Sequence, residues 1–165
     1  MIIRYQTVDS PIGPLRMAAD ATGVRAIEFE RPRHPIAMTD EWKPGDSDVL
    51  RRTRAQLAEY FAGERRTFDL PLSPRGTDFQ LRVWSELRRI PYGSTCSYLQ
   101  LAQRIGAPRA VRAVGAANGR NPISIVVPCH RVIGADGGLV GYGGGLGAKK
   151  YLLELEGLSF PQPLF

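Results

Sequence analysis

The sequence predicts an α/β fold of the α+β kind. An N-terminal antiparallel sheet with one helix spans residues 1–75, and a mainly helical domain with a helix-turn-helix and a loop around Cys129 spans residues 76–165. Three observations predict this. Short β-rich runs alternate with turn residues at the start, apolar residues recur at helical spacing after residue 76, and Pro71, Ser73, Pro74 and Gly76 cluster where composition and charge both change. At 165 residues, 43% hydrophobic and 23% charged, the chain has ordinary globular usage and can bury a core as one domain or two small ones.

Taken in order, residues 2–8, 15–19 and 24–29 read as strands. Pro11, Gly13 and Pro14 supply the first turn and residues 20–23 the second, which gives an antiparallel meander. Residues 31–47 hold Pro32, Pro35, Pro44 and Gly45 and are expected to be a surface loop without regular structure. A helix follows with Ser47 as its N-cap, since Leu50, Thr53, Leu57 and Phe61 share a helical face that Gly63 ends. Residues 68–72 are expected to add one more strand. Beyond the break, Thr77 or Asp78 caps a helix whose apolar stripe is Phe79, Val83, Leu87 and Ile90, stopped by Pro91 and Gly93. Ser97 caps the next, with Tyr98, Leu101, Ala102 and Ile105 on one face. Gly106, Ala107 and Pro108 separate it from a third helix over residues 109–118, which is the spacing of a helix-turn-helix. The third helix carries Ala110, Ala113, Gly115, Ala116 and Ala117, with Arg109 and Arg112 three apart. Such small side chains permit close approach either to a duplex or to another helix. A last helix over residues 147–156 ends at Gly157.

Charge is divided unevenly. Residues 1–75 hold 12 Lys and Arg against 11 Asp and Glu, whereas residues 76–165 hold 10 against 5. From Arg82 to Arg131 there are eight arginines and a single acid, Glu86, an electrostatic footprint for a polyanion. No apolar stretch approaches the roughly 18 residues of a membrane span. Residues 1–20 show no apolar core ahead of a cleavage site, so the expected compartment is the cytoplasm. The two cysteines, Cys96 and Cys129, make neither a disulfide framework nor a zinc site and are expected as free thiols. Cys96 reads as a packing residue and His34 as a solvated one.

Residues 121–132, Asn-Pro-Ile-Ser-Ile-Val-Val-Pro-Cys-His-Arg-Val, concentrate the chemistry. The Ile and Val run is expected to pass as a buried extended segment that delivers Cys129 at its end. A thiol attacks only as thiolate. An adjacent imidazole able to take its proton, with Arg131 adding positive potential, would lower its pKa. For the Cys129-His130 step alone, a buried structural cysteine beside a surface histidine is the plainer alternative.

The wider string narrows the choice. Pro128-Cys129-His130-Arg131-Val132, preceded by Gly119-Arg120-Asn121-Pro122 and followed by Gly141-Tyr142-Gly143-Gly144-Gly145-Leu146 and Leu155-Glu156-Gly157, resembles the O6-alkylguanine-DNA alkyltransferases. The resemblance covers residues 77–158, while residues 1–75 are similar to that family's variable N-terminal domain, a ribonuclease-H-like arrangement. It implies direct reversal of DNA alkylation damage. The alkyl group on guanine O6, or less readily on thymine O4, passes irreversibly to the protein's own cysteine, once per molecule. Carried over residue by residue, Cys129 is implied as the alkyl acceptor and His130 as the base that takes its proton through a water. Glu156 is implied as the carboxylate behind the imidazole and Asn121 as a brace of the cysteine turn. Tyr98 is implied to donate to guanine O6 as the alkyl group leaves. Arg112 is implied to enter the base stack in place of the extruded nucleotide, from a minor-groove helix, with Arg109, Ala110, Ala113, Gly115 and Arg120 as further DNA contacts. Val132, Tyr142 and Gly143 would line the guanine pocket, under a flap formed by residues 141–145.

The implied partner is double-stranded DNA carrying O6-alkylguanine, with no cofactor, no metal and no membrane, and the protein is expected to be a monomer. Gly143 stands where many relatives have Ser, and Ser124 where some have a second Pro, which bears on the tolerance of larger alkyl groups. Two other function classes compete. A non-catalytic alkyltransferase-like damage sensor would have lost the acceptor cysteine, which is present here. A thiol hydrolase using Cys129 and His130 would leave the arginine-rich helix without a purpose, and adjacent side chains seldom face one another.

Overall fold

The structure is a computed structural model and describes residues 1–139, 141, 142 and 144–160. Strands β1 (Ile3–Val8), β2 (Leu15–Ala19) and β3 (Val24–Phe29) form the expected meander, with both pairs antiparallel. A fourth strand, β4 (Trp42–Pro44), lies inside the stretch expected to be irregular. It pairs in parallel with β1, so the sheet order is β3-β2-β1-β4. The physical reason is that an edge strand needs only one ladder and tolerates the missing N–H of Pro44, while Trp42 gains a cluster with Ile3, Ala18 and Ala26 to bury against.

Residues 68–72 do not become a strand. Contact with β3 is confined to Val24, whose N–H donates to Pro71 O (2.9 Å) and whose carbonyl accepts from Ser73 N (2.8 Å). Pro71 and Pro74 lack the donors that would extend a ladder. Gly23 lies at this crossing, where a Cβ would stand 2.5 Å from Pro71 O. Only a residue without a side chain lets the two backbones meet there.

Helix α1 (Asp48–Phe61) covers one face of the sheet and is capped by Ser47, whose side chain accepts from Leu50 N. Leu15, Met17 and Ile27 of the sheet pack with Leu50, Leu57 and Tyr60 of α1. The second half contributes α2 (Asp78–Leu87), α3 (Tyr98–Arg104), α4 (Val111–Gly119) and α5 (Leu146–Leu155), with a short parallel pair of β5 (Cys96–Ser97) and β6 (Val132–Ile133). Thr77 and Ser97 each form a capping box, with Gln80 and Gln100 reaching back to the cap backbone. Val83, Leu87, Ile90, Leu101 and Val114 join the cluster begun by the sheet, so one core runs through both halves. Each such side chain contributes about 1.5–3 kcal/mol by leaving water. Among the described residues no helix is long and apolar enough to cross a membrane.

The halves are also joined by backbone. Ile27 N donates to Pro122 O (2.9 Å) and Ser124 N donates to Ile27 O (3.1 Å). Ile27 of β3 therefore pairs with the segment that leads to Cys129.

Candidate active site

The segment before Cys129 turns instead of running extended. Ile123 and Ser124 pair with β3, and Ile125 then takes φ 75°, a left-handed conformation that costs a β-branched residue about 1–3 kcal/mol. Val126 N returns to Ser124 O (2.9 Å) and Val127 N to Ile123 O (3.0 Å). Asn121 closes the turn at both ends: its Nδ2 donates to Val127 O (2.7 Å) and its Oδ1 accepts from Ile123 N (3.0 Å). That double grip, an Asx-type closure, is the reason the Ile and Val run folds back. Cys129–Arg131 follow as a single 3-10 turn with all three side chains buried.

Behind the cysteine, Glu156 caps α5 at 5% exposure. It accepts from His130 Nε2 (2.8 Å), Arg131 Nε (2.8 Å) and Nη2 (3.0 Å), the Tyr60 hydroxyl (2.6 Å) and Gly93 N (3.2 Å). Burial alone would raise its pKa. The hydrogen bonds and positive charge of His130 and Arg131 outweigh it and hold the carboxyl at about 2. An ionised carboxylate can only accept, so His130 Nε2 carries the hydrogen and Nδ1 the lone pair. Nδ1 is buried and has no hydrogen-bond partner among the described residues. Burial pushes the His130 pKa down against the pull of Glu156, which leaves a neutral ring able to take a proton at pH 7.

The thiol itself departs from expectation. Burial pushes the Cys129 pKa up, and the hydrogen bond from Asn121 and the charge of Lys149 recover only part of the shift. Arg131 does not serve the thiol, because its guanidinium is directed at Glu156 and at Ile90 O (Nη1, 2.7 Å). The resting cysteine is therefore a neutral thiol next to a neutral imidazole. Lys149, which the sequence reading passed over, is fully buried, and its Nζ donates to Val132 O (2.6 Å) and Gly141 O (3.4 Å). Burial brings its pKa down to about 8. A signal for it existed: Lys149 shares a helical face with Leu152, Leu153 and Glu156.

A cavity of about 100 Å³ opens at Cys129. Tyr98, Gly115, Asn118, Arg120, Asn121, Ser124, Gly141 and Tyr142 line it from the second half of the chain, and Ile27, Phe29, Pro32, Arg33 and His34 from the first. The Tyr98 pKa is raised by burial and by the nearby Cys129, with Arg33 and Asn118 opposing, so the phenol keeps its proton as a donor. Burial likewise keeps Tyr142 protonated. Gly115 packs against Tyr98, and Val132 stands behind the wall, tied to it through Lys149. Gly143 lies outside the described residues.

On α4, Val114, Ala117 and Asn118 face the core, while Arg112, Ala113 and Ala116 are exposed. The small residues are thus divided between helix packing and an open outer face. Arg109 and Arg120 are exposed at its two ends, and Ala110 is the half-buried N-cap. The geometry brings Cys129, His130, Glu156, Asn121, Tyr98 and Tyr142 together and leaves Arg109, Arg112 and Ala113 on the outer surface. Tyr60, Asn118, Phe29 and Arg33 are further additions, and sequence spacing did not point to them.

Residues 78–158 match the family described as "6-O-methylguanine DNA methyltransferase, DNA binding domain", and residues 3–74 match "6-O-methylguanine DNA methyltransferase, ribonuclease-like domain". A protein of Methanosarcina acetivorans named "Methylated-DNA--protein-cysteine methyltransferase" is 49% identical over 153 residues, which is 93% of this chain and 97% of that protein. One of the same name from Mycobacterium bovis is 51% identical over 163 residues, 99% and 98% of the two chains. The structure of Mycobacterium tuberculosis OGT in complex with DNA superposes with a TM-score of 0.85 at 52% identity, covering 93% of this chain and 92% of that one. Matched along both halves, and over nearly its whole length at about half identity, this chain belongs to the 6-O-methylguanine DNA methyltransferase family.

Proposed function

We propose that this protein repairs alkylated double-stranded DNA by moving the alkyl group of O6-alkylguanine, and less readily of O4-alkylthymine, onto its own Cys129. The observation that carries the reading is the buried Glu156–His130 pair, with the basic Nδ1 of His130 unpartnered among the described residues, and His130 directly following a buried thiol that lines a cavity. Residues 76–165 carry the reaction and residues 1–75 support it.

The outer face of α4 engages the duplex, with Arg109 and Arg120 near phosphates and Ala110 and Ala113 allowing close approach. An O6 atom inside the stack is out of reach, so the nucleotide is extruded at a cost of a few kcal/mol and Arg112 fills its place. In the cavity Tyr98 donates a hydrogen bond to the guanine and Tyr142 frames it, with Val132 behind the wall. The Cys129 proton passes through a water to His130 Nδ1, and Glu156 stabilises the imidazolium. The bond from Sγ to the alkyl carbon forms as the bond from that carbon to O6 breaks. Guanine leaves as its anion and takes up the proton from His130. Nothing in the scheme returns the S-alkylcysteine to a free thiol, so each molecule reacts once, as a monomer and without a cofactor. A nucleophilic thiol of this kind belongs in a reducing compartment such as the cytoplasm.

The test mixes the protein with a duplex holding one O6-methylguanine and records intact and peptide masses. One methyl gained on the Cys129 peptide, saturating at one per protein with guanine restored in the DNA, is the expected result. Binding with neither component changed would overturn the reading in favour of a damage sensor, and multiple turnover of a thioester by Cys129 would favour a hydrolase.

A further inference from the structure

Alkyl transfer requires a pocket of defined width at Cys129, and one wall of that pocket comes from the sheet. Phe29 ends β3, is 8% exposed, and lines the cavity with Ser124, Cys129 and Tyr142. Its ring meets Tyr142 edge to face, with centroids 5.5 Å apart and planes at 73°. Tyr142 in turn stands edge-on to His130, with centroids 6.5 Å apart. At the tip of the Phe29 ring, a Cβ placed on Gly144 would lie 2.7–2.8 Å from Cζ, Cε1 and Cε2, well inside the roughly 3.5–4.0 Å at which carbon atoms rest. The strand cannot retreat, because Ile27 is hydrogen-bonded on both sides to the cysteine segment at Pro122 and Ser124.

We propose that Phe29 is a specificity-determining residue of the alkyl transfer. By holding Tyr142 and Gly144 against a strand that is itself locked to the cysteine turn, its ring sets the width of the acceptor pocket and thereby the size of alkyl group that reaches Cys129. The inference rests on the alkyl-transfer reading above. It assigns to the N-terminal sheet a part in substrate choice, separate from the proton path through His130 and Glu156, to which Phe29 makes no hydrogen bond.

The experiment compares single-turnover rate constants for two versions of one duplex, carrying O6-methylguanine or O6-benzylguanine, in the native protein, Phe29→Leu, Gly144→Ala and the double variant. Phe29→Leu is expected to raise the benzyl-to-methyl rate ratio about tenfold, the low end of what one apolar group contributes to steric discrimination. Gly144→Ala pushes into the ring and is expected to lower the same ratio in the native background, with a smaller effect once Phe29 is Leu, since neighbours in contact do not act additively. A ratio that stays within about twofold in Phe29→Leu, or effects of the two substitutions that simply multiply, overturns the proposal. If Phe29→Leu does not fold, Gly144→Ala alone decides, because an unchanged ratio in that variant overturns it equally. Failure of the native protein to take a methyl group would overturn the alkyl-transfer reading itself, whereas methyl transfer with invariant ratios removes only the role of Phe29.

Discussion

Replacing Glu156 with Gln removes the one buried anion that holds Arg131, His130 and Tyr60 in place, and its cost can be worked from the structure. The carboxyl moves from an ordinary 4.5 to about 2 on folding. At 1.36 kcal/mol per unit of pKa, this corresponds to about 3 kcal/mol of stability at neutral pH. Stranding a buried guanidinium by removal of its partner costs about 3–5 kcal/mol on independent grounds, so a loss of about 3–4 kcal/mol is expected. For a chain of this size that lowers Tm by about 6–16 °C. Because the folded value is the depressed one, the contribution is fully present above pH 4.5 and disappears as pH falls toward 2. The difference between native and variant should therefore close over that window. Urea unfolding at several pH values, followed through the fluorescence of buried Trp42 and Trp84, measures both quantities. A loss below about 1 kcal/mol at pH 7, or a loss that does not shrink in acid, would refute the reasoning that one carboxylate balances this cluster.

Cys129→Ser should abolish alkyl transfer while damaged duplex still binds, which mass spectrometry and a binding titration report together; transfer by the variant would place the acceptor elsewhere. Arg112→Ala should weaken base extrusion, read from a fluorescent base analogue opposite the lesion, more than it weakens nonspecific binding. Asn121→Ala loses both hydrogen bonds that close the turn around left-handed Ile125 and should cost about 2–3 kcal/mol in urea unfolding, with slower transfer; unchanged stability would mean that packing alone holds the turn. Since burial lowers the His130 pKa below its ordinary 6.5 and raises that of the Cys129 thiol, the transfer rate should be flat from pH 6.5 to 7.5, before buried Lys149, held at about 8, loses its charge. A tenfold rise across that range would indicate a thiol already titrating at rest.

Much of the fold was legible because its signals are local. Ser47, Thr77 and Ser97 satisfy N–H groups within their own first turns, and the meander turns lie between the strands they join. β4 was not legible, since a three-residue edge strand around Trp42 is stabilised by β1 and by Ile3, Ala18 and Ala26 from other strands. The extended path assigned to residues 125–127 failed for a related reason: β-branched residues favour strands, but Asn121 and the pairing of Ile27 with Pro122 and Ser124 override that preference.

At the site, the strings around Cys129 and Glu156 carried the family resemblance that implied roles for Cys129, His130, Asn121 and Glu156, because residue type and order are written along the chain. Tertiary structure alone decided the direction in which those groups titrate and the walls of the pocket. Arg131 stands two residues from the thiol yet turns to Glu156, while Tyr60, Lys149 and Phe29 arrive from distant parts of the chain. Proton affinity and pocket width depend on which charges, dipoles and rings lie within a few ångströms in a medium without water, and adjacency in sequence does not specify that.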